Sequence, residues 1–495
     1  MRTRLSSVCV ALLLLMPMFA YGDVFNCADG DVRCLIDAIN VANANGEDDT
    51  IELAPGGAYT LTAPDPAGGS SGPTGLPAIN SVITIFGRGA TISRSTDMAT
   101  PDFRVLYVDA NGHLILNEVS VRYGRATGVS PAQDGGGIRV GRGATVNVVA
   151  SVISDNFSSF LGGGVFVDVD GMLVLNQSAV LDNQAVDGGG VFLVKALVEV
   201  EDSVIAGNTA DFGGGIFNDN GGVTHVVGSS ISRNTASRWG GGIGNFSFGS
   251  GPDFGTRLTI VDTTLSENSG GDGGAIYSNT GSAQVTASTI SDNYSDYGGS
   301  GISNKTGRAS FSLNDSCIVG NEKTQFGEAS VFNDPASPAM NATDNWWGAA
   351  DGPSGVGPGS GDAVSSNVDF EPFRNAPAPA CSATIVAIDV KPFDNRNQID
   401  PSSPMLFSVG ILSDDDFDAL QTDLQTIVVE PGEASARNYR VYDANRDRIP
   451  DLVPLFRARD LRIGCGETEV ELTGKTHDGV EFFGTDVVRN RRCPK

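Results

Sequence analysis

The chain has 495 residues, too many for one ordinary compact core, so its length predicts either several domains or an elongated repeat. Asp and Glu (59) outnumber Lys and Arg (32), and the formal charge of −27 argues against a nucleic-acid backbone or an anionic membrane surface as a partner. Glycine is frequent, with 64 residues, which indicates many tight turns and favours the repeat.

Residues 1–22 are typical of a secretory signal peptide. Arg2 and Arg4 precede an apolar run from Val8 to Phe19, and the small-x-small sequence Ala20-Tyr21-Gly22 suits signal peptidase. We therefore expect cleavage before Asp23. No later stretch approaches the ~20 apolar residues that span a bilayer, so the mature chain is expected to be fully exported.

Six cysteines remain after the signal peptide, an even number that permits disulfides in an oxidising compartment. None of them has the spacing of a metal site. We predict two local pairs and leave the remaining two cysteines as a third: Cys27 with Cys34, Cys465 with Cys493, and Cys317 with Cys381.

Residues 23–80 are interpreted as an N-terminal cap with the first coils of a repeat. Within them, Leu35, Ala38, Ile39 and Ala42 fall on one face of a helix, which suits a lid over the open end of a solenoid.

Residues 81–347 carry an internal repeat built from two phrases. The first is a glycine-rich triplet followed by Ile or Val, and the closing apolar residue recurs in steps of 27, 26, 25, 27, 33 and 26 residues. The second ends in Asn and keeps a constant phase with the first. The closing apolar residues are Ile138, Val165, Val191, Ile216, Ile243, Ile276 and Ile302, and the recurring Asn residues are Asn156, Asn183, Asn208, Asn234, Asn268, Asn293 and Asn321.

Each repeat is rich in Val, Ile, Thr and Ser, alternates apolar with polar residues and is broken at glycine corners, so it predicts strands rather than helices. In the third copy we expect strands over 191–194, 198–200 and 203–205. Stacking of equivalent strands predicts an all-β fold, a right-handed parallel β-helix with three sheets. We expect each Asn to occupy a left-handed corner and to bond to the Asn one coil above, and the glycines to supply positive φ. The step of 33 predicts an extra loop near 247–256.

The sequence resembles right-handed parallel β-helix proteins of bacterial surfaces, the group that includes pectate-lyase-like folds and polymorphic outer-membrane-type adhesins. The run from Cys34 to Asn40 is similar to the Cys-Ser-Leu-Arg-Asp-Ala-Ile-Asn block that opens many of them, although Ile36 replaces the Arg of that block. Asn345-Trp346-Trp347-Gly348 is similar to their closing coil. Residues 348–380 are accordingly interpreted as the closing coil and a Gly/Pro/Ser-rich linker.

Residues 381–495 lack the glycine triplets and predict a small antiparallel β-sandwich. The module looks like one found at the C-terminus of secreted bacterial proteins, with Ile388 to Pro392 at its opening. Within it, the spacing of one loop suits Ca²⁺, although Arg448 stands where the sharp turn favours Gly. The alternative is a polar surface turn. The proposed ligands are Asp443, Asn445, Asp447, the carbonyl of Ile449, and Asp451.

Strand alternation directs the residue after each closing Ile or Val outward from the first sheet. This predicts an exposed aromatic ladder of Phe166, Phe192 and Phe217 with Tyr277 beyond it and Arg139 before it, a surface that suits sugar rings. The alternative is that the aromatic side chains only stabilise neighbouring strands or lie under a loop. A set of acids before the glycine corners would either gather divalent cations or be solvated: Asp134, Asp187, Asp211, Asp272 and Asp296.

No linear motif of a polysaccharide lyase or glycosidase is present, and His113, His225 and His477 are each isolated in the sequence. We therefore expect a secreted or cell-surface, monomeric, non-catalytic protein for adhesion or glycan binding. Its partner would be an extracellular polysaccharide or a surface protein. The alternatives are a polysaccharide-degrading enzyme, lyase before hydrolase, with its site on the outer face of the first sheet, and a passive spacer.

Overall fold

A computed structural model describes residues 22–490 apart from positions 68, 70, 247–254, 280, 306–308, 322–325, 378–380, 382, 395–396, 404, 414–416, 433, 464–466 and 478–480. The signal peptide, the cysteines at 465 and 493, and most of the loop expected at 247–256 lie outside these residues. The described chain is a parallel β-solenoid of about 12 turns followed by a smaller two-sheet module.

The N-terminal end is closed by the one α-helix of the described residues, Val32–Asn45. Asp31 caps it by accepting from the amide of Cys34, and its four predicted face residues, Leu35, Ala38, Ile39 and Ala42, are all buried. The Cys27–Cys34 disulfide, as predicted, ties the helix to the first strand. The helix therefore covers the apolar interior of the first coil.

The first face consists mainly of the strands that follow the glycine corners, and neighbouring strands of this face are hydrogen-bonded in parallel. These strands are Leu106–Val108, Ile138–Val140, Val165–Val167, Val191–Val194, Ile216–Asp219, Ile243–Phe246, Ile276–Ser278, Tyr294–Asn304, Phe326–Asn333, Pro353–Gly355 and Gly361–Val364. Short corner strands come just before the glycines: Arg125–Ala126, Phe157–Ser158, Thr209–Phe212, Thr235–Trp239 and Ser269–Asp272.

The second and third faces complete each coil. The second face contains Val24–Cys27, Asp49–Leu53, Val82–Arg94, His113–Arg122, Thr145–Val149, Met172–Asn176, Leu197–Glu201, Val223–Val227, Arg257–Val261, Gly281–Thr286, Ala309–Asn314, Met340–Asn341 and Val368–Asp369. The third contains Ala58–Leu61, Val152–Ser154, Ala179–Leu181, Val204–Ala206, Ser230–Ser232, Thr264–Ser266, Thr289–Ser291 and Cys317–Val319.

The three faces form two large hydrogen-bonded sheets rather than three separate ones. The strands Val82–Arg94 and His113–Arg122 continue through the corner between the second and third faces, so those two faces join into one 21-stranded sheet. The first face and most of its corner strands make a 14-stranded sheet. The alternating inward residues of all faces fill one continuous apolar core.

The predicted asparagine ladder is confirmed. Asn183 Oδ1 accepts from the backbone N and the Nδ2 of Asn156, at 3.0 and 2.9 Å, and Asn208 accepts from Asn183 in the same way. The ladder continues to Asn321, whose amide groups donate to Asp362 at 3.1 and 2.8 Å. Every rung lies buried, so each coil supplies the acceptor that satisfies the donors of the preceding one.

The expectation that each Asn occupies the left-handed corner is wrong. Positive φ falls on the residue before it, for example 56° at Asp155, 53° at Asp182 and 67° at Gly207. The Asn itself has to direct its side chain into the coil, where it can reach the next rung. The glycine prediction holds for six of the seven triplets, because their first glycine, such as Gly162 at 62° and Gly188 at 66°, has positive φ, whereas in the last copy the positive φ falls on Gly298.

A second ladder, not anticipated from the sequence, runs along the corner between the second and third faces. The amide of Ser151 donates to Ser178 Oγ at 3.1 Å, and that of Ser178 donates to Ser203 Oγ at 3.0 Å. The series continues through Ser229, Thr263, Ser288 and Ser316 to Asn345.

The C-terminal module is built on two sheets that share an apolar core. One sheet is antiparallel: Ile388–Val390, Leu406–Ile411, Asn438–Tyr442 and Asp451–Arg457. The other is mixed rather than purely antiparallel, because Ala383–Ile385 and Gln398–Ile399 run parallel to Glu481–Asn490. Its remaining strands are Thr422–Glu430, Ala434–Ser435 and Glu467–Thr476, and two 3₁₀ turns lie at Ala419–Gln421 and Ala458–Asp460. A disulfide joins Cys317 in the last coils to Cys381 at the start of the module.

Candidate functional site

The aromatic side chains of the first face stack but do not form the exposed ladder expected from the sequence. The rings of Phe166 and Phe192 lie 5.7 Å apart and nearly parallel, and those of Phe192 and Phe217 lie 5.5 Å apart. Their exposed fractions are only 4%, 3% and 0%. Corner residues, notably Leu161, Phe212 and Trp239, pack against the rings. The rings therefore lie under a cover, as in the alternative interpretation, and the expected exposure is wrong.

Tyr277 belongs to the same buried cluster. Phe217 is opposite Gly244 in the next coil, and a Cβ at Gly244 would approach the Phe217 ring to 2.7 Å. The glycine therefore makes room for the ring. Tyr277 stacks instead on Trp239, with ring centroids 5.2 Å apart, and burial followed by the charge of Asp272 raises the pKa of the Tyr277 hydroxyl.

Arg139 closes the other end of the stack and is held by an aromatic ring and two carboxylates. Its guanidinium lies 4.4 Å from the centroid of the Phe166 ring and pairs with Asp134 at 3.2 Å and Asp168 at 2.9 Å. Only 5% of Arg139 is exposed. Desolvation raises the pKa of Asp134, against the opposing effect of Arg139. The Arg139 guanidinium is shared between two carboxylates inside the corner and is not presented to a substrate on the outer face.

The acids before the glycine corners occupy different environments. Asp187 is 9% exposed and its Oδ1 is buried without a hydrogen-bond partner. Its backbone forms isolated parallel β-bridges with Leu161 in the preceding coil and with Phe212 in the following coil. Burial and then the charge of Asp211 raise the pKa of Asp187 to about 6.

The other acids of this set have partners of their own. Asp211 accepts a hydrogen bond from Ser237 Oγ at 2.6 Å, Asp272 lies 3.5 Å from the ammonium of Lys305, and Asp296 accepts from the Tyr294 hydroxyl at 3.2 Å. Among the described residues this set does not gather its carboxylates into one cluster of metal-ligand size.

The loop proposed for calcium is ordered by its own first residue. Asp443 Oδ1 accepts from the amides of Arg446 and Asp447 at 2.6 and 3.1 Å, and its Oδ2 accepts from the amide of Arg448 at 2.9 Å. Asn445 Nδ2 donates to Asp447 Oδ2 at 2.7 Å. The side chains of Asp443, Asn445 and Asp447 thus all take part in hydrogen bonds within the loop.

Asp451 differs from the other proposed ligands because it is fully buried. Its two carboxylate oxygens accept from the amides of Ser413, at 2.8 Å, and Ala444, at 2.6 Å. Asp451 therefore fixes the base of the loop to the neighbouring strand. The carboxylates of Asp443 and Asp447, the amide oxygen of Asn445 and the Ile449 carbonyl are the donor set that suits a hard cation.

Sequence reasoning missed a cleft of about 890 Å³ between the third face of the solenoid and the C-terminal module. Its solenoid wall presents short hydroxyl and apolar side chains from successive coils, and its module wall comes from the mixed sheet. The solenoid side includes Val152, Ala179, Leu181, Val204, Ser230, Ser232, Thr264 and Ser266; the module side includes Glu430, Arg462, Thr468, Glu471, Phe483, Thr485 and Val487.

The cleft is rich in acids. Glu430 and Glu471 stand opposite each other on adjacent antiparallel strands. Glu471 is solvent accessible. Desolvation by the surrounding protein, followed by the charge of Glu430, nevertheless raises the pKa of its carboxyl group. Glu118, Asp202 and Glu267 line the solenoid corners, and Arg233 and Arg462 are the basic lining residues. The outward Ser and Thr residues of the third face were the available signal, but nothing local indicates what lies opposite them.

The histidines lie outside this cleft. His113 Nε2 is 3.3 Å from the side-chain amide of Asn147, His225 lies on the second face, and the amide of His477 donates to the carbonyl of Gln421. None of the three lines the cleft. They provide no support for a catalytic centre there.

A family model of the Chlamydia polymorphic membrane protein repeat matches residues 262–279, a stretch that contains one asparagine phrase and one glycine phrase. In structure the chain is similar to a tailspike protein mutant of E. coli bacteriophage HK620, at 13% identity and a TM-score of 0.32, over 89% of this chain and 87% of that chain. No curated protein matches the sequence. In the part of the chain that the structure describes, no helix has the length and apolar character to cross a membrane. The repeat match and the solenoid fit a surface or adhesin-like β-helix protein.

Proposed function

We propose that this is a secreted or cell-surface, monomeric, non-catalytic protein that binds an extracellular glycan in the cleft between the solenoid and the C-terminal module. The cleft itself is the observation that carries the proposal. At about 890 Å³ it is large enough for several sugar rings, and it replaces the buried Phe166 stack as the binding surface.

The lining of the cleft suits carbohydrate. Hydroxyl groups of Ser230, Thr264 and Thr485 can exchange hydrogen bonds with sugar hydroxyls, while Val204 and Phe483 offer apolar surface to the ring faces. Five acids face two arginines there, so the local charge disfavours polyanions. A neutral or amino-sugar polymer is the ligand class that fits.

A polysaccharide hydrolase is the second candidate, and the facing pair Glu430 and Glu471 favours it. Glycoside hydrolysis uses a pair of carboxyl groups, and Glu430 and Glu471 are such a pair on adjacent strands, where desolvation and then the charge of Glu430 raise the pKa of Glu471. From the sequence we expected a lyase before a hydrolase; the carboxyl pair is the reason for proposing a hydrolase here. A spacer without a ligand is the third candidate.

Retention of the mature chain on immobilised neutral, amino-sugar and acidic polysaccharides tests the proposal. Thr264→Trp would fill the cleft, and Thr259→Trp, at a half-buried position on the second face, is the matched control. Retention lost only in Thr264→Trp supports cleft binding. Release of reducing ends that Glu471→Gln abolishes would identify a hydrolase, and equal retention of both variants would contradict binding in the cleft.

We also propose a structural Ca²⁺ ion in the C-terminal loop, bound by Asp443, Asn445, Asp447 and the Ile449 carbonyl. A cation there would offset the charge of the two carboxylates and hold the turn through Arg446 and Arg448, which both have positive φ.

A further inference from the structure

Three acids meet beneath the N-terminal cap, far along the chain from both regions discussed above. Asp23 immediately precedes the first strand, and Glu47 and Asp49 follow the C-terminus of the cap helix, which ends in a left-handed Gly46 with φ of 75°. One carboxylate oxygen from each of the three lies within 4.8 Å of the others.

Asp49 is the central member and is only 2% exposed. Its Oδ1 accepts from the amide of Asp23 at 2.7 Å and from Asn45 Nδ2 at 3.0 Å. Its Oδ2 is buried without a hydrogen-bond partner. A buried carboxylate oxygen normally has a donor or a cation beside it, so this atom lacks the partner that its burial requires.

Among the described residues, no basic side chain forms an ion pair with the cluster. Within the described part of the chain, none of the ion pairs includes Asp23, Glu47 or Asp49. Three carboxylates at this separation repel one another, and the repulsion is strongest around the buried one. A positive charge among them would offset this repulsion.

We propose that Asp23, Glu47 and Asp49 bind a Ca²⁺ ion. The ion would connect the start of the first strand and the end of the cap helix to the strand Asp49–Leu53. All the ligands are carboxylate oxygens, which favours a hard cation over zinc or copper. Asp23 and Glu47 are partly open to solvent, so water can complete the coordination shell. Because Ca²⁺ tolerates irregular sets of six to eight oxygens better than Mg²⁺ does, it is the metal this site selects.

The α-ammonium group of a chain cleaved before Asp23 is the competing occupant. It would take the place of the Asp23 amide, 2.7 Å from Asp49 Oδ1. One ammonium balances one carboxylate and leaves two uncompensated, so it does not replace a divalent ion. The two occupants are distinguishable, because only one of them is removed by a chelator.

The test uses the mature chain with Asp443→Asn and Asp447→Asn, which silence the proposed C-terminal loop. Calorimetric titration with CaCl₂ and thermal unfolding with and without EDTA then report the N-terminal site alone. Glu47→Gln removes a half-exposed ligand, and Asp48→Asn, at the neighbouring exposed acid, is the matched control. Asp49→Asn is a second variant, with the greater risk of misfolding.

We expect one Ca²⁺ to bind, the affinity to fall about tenfold or more in Glu47→Gln, and Asp48→Asn to change little, because affinity follows the number of charged ligands. Calcium should raise the unfolding temperature of the control and not that of Glu47→Gln. Absence of binding, or binding that Glu47→Gln leaves intact, would overturn the proposal. If Asp49→Asn lowers the unfolding temperature but EDTA does not, the partner of the Asp49 carboxylate is the α-ammonium group and not a Ca²⁺ ion.

Discussion

Replacing the buried acid Asp187 by Asn should make the protein more stable at neutral pH. The backbone of Asp187 pairs with Leu161 and Phe212 in the neighbouring coils. Its side-chain Oδ1 is buried without a hydrogen-bond partner. Desolvation first, and the charge of Asp211 second, raise its pKa to about 6. Asn has almost the same shape and no charge to desolvate, so Asp187→Asn removes the penalty while keeping the packing.

The size and direction of the effect follow from linkage. The folded protein holds the Asp187 proton more tightly than the unfolded chain, so its stability falls as pH rises from the unfolded pKa, 3.8, to about 6. A shift of roughly two units corresponds to about 2–3 kcal/mol. Asp187→Asn should therefore gain about that much above pH ~7 and almost nothing near pH ~4.

Guanidinium unfolding of both proteins across this range, followed by circular dichroism, measures the difference. Asp296→Asn, an exposed acid of the same set, is the control and should show no comparable gain. Asp211→Asn should show part of the gain, since it removes the second cause of the shift. A gain that is independent of pH, or that grows as the pH falls, would refute the assignment of a raised pKa to Asp187.

Phe192→Ala should destabilise the solenoid by about 3–4 kcal/mol, because the ring is 3% exposed and stacked on both sides; an unchanged unfolding midpoint would indicate that the cluster collapses without cost. Asn208→Ala should lower the free energy of unfolding by about 2–4 kcal/mol, because the buried donors of Asn183 lose their acceptor. The same unfolding assay measures this loss, and a loss smaller than that of an exposed Asn→Ala change would contradict the prediction. Asp443→Asn should weaken the Ca²⁺-dependent rise in unfolding temperature of the C-terminal module, whereas a rise equal to that of the parent protein would reject the loop as a calcium site.

The coils themselves could be predicted because their determinants are local and repeated. Glycine triplets and alternating Val and Ile residues recur at nearly constant spacing, and parallel stacking in register places equivalent residues above one another. The asparagine ladder follows from the same register. Which of two adjacent residues would take positive φ was not decided by that spacing, and the prediction placed it on Asn183 instead of Asp182.

The exposure of the aromatic side chains could not be predicted in the same way. Alternation correctly places Phe166, Phe192 and Phe217 outside the coil interior, but it does not state what lies over them. The covering residues Phe212 and Trp239 belong to corner strands that the sequence pattern did not reveal. A residue that points outward from a strand is therefore not necessarily in contact with solvent.

The sequence by itself determined the repeat, the strand order within each coil, the cap helix with its buried face and the Cys27–Cys34 disulfide, because each depends on neighbours in the chain or on the same position one coil away. Only the tertiary structure decided the cleft, which Thr264 of the solenoid and Glu471 of the module both line, and the meeting of Asp23 with Asp49. These contacts join segments that share no periodicity, and their geometry depends on how whole elements pack together.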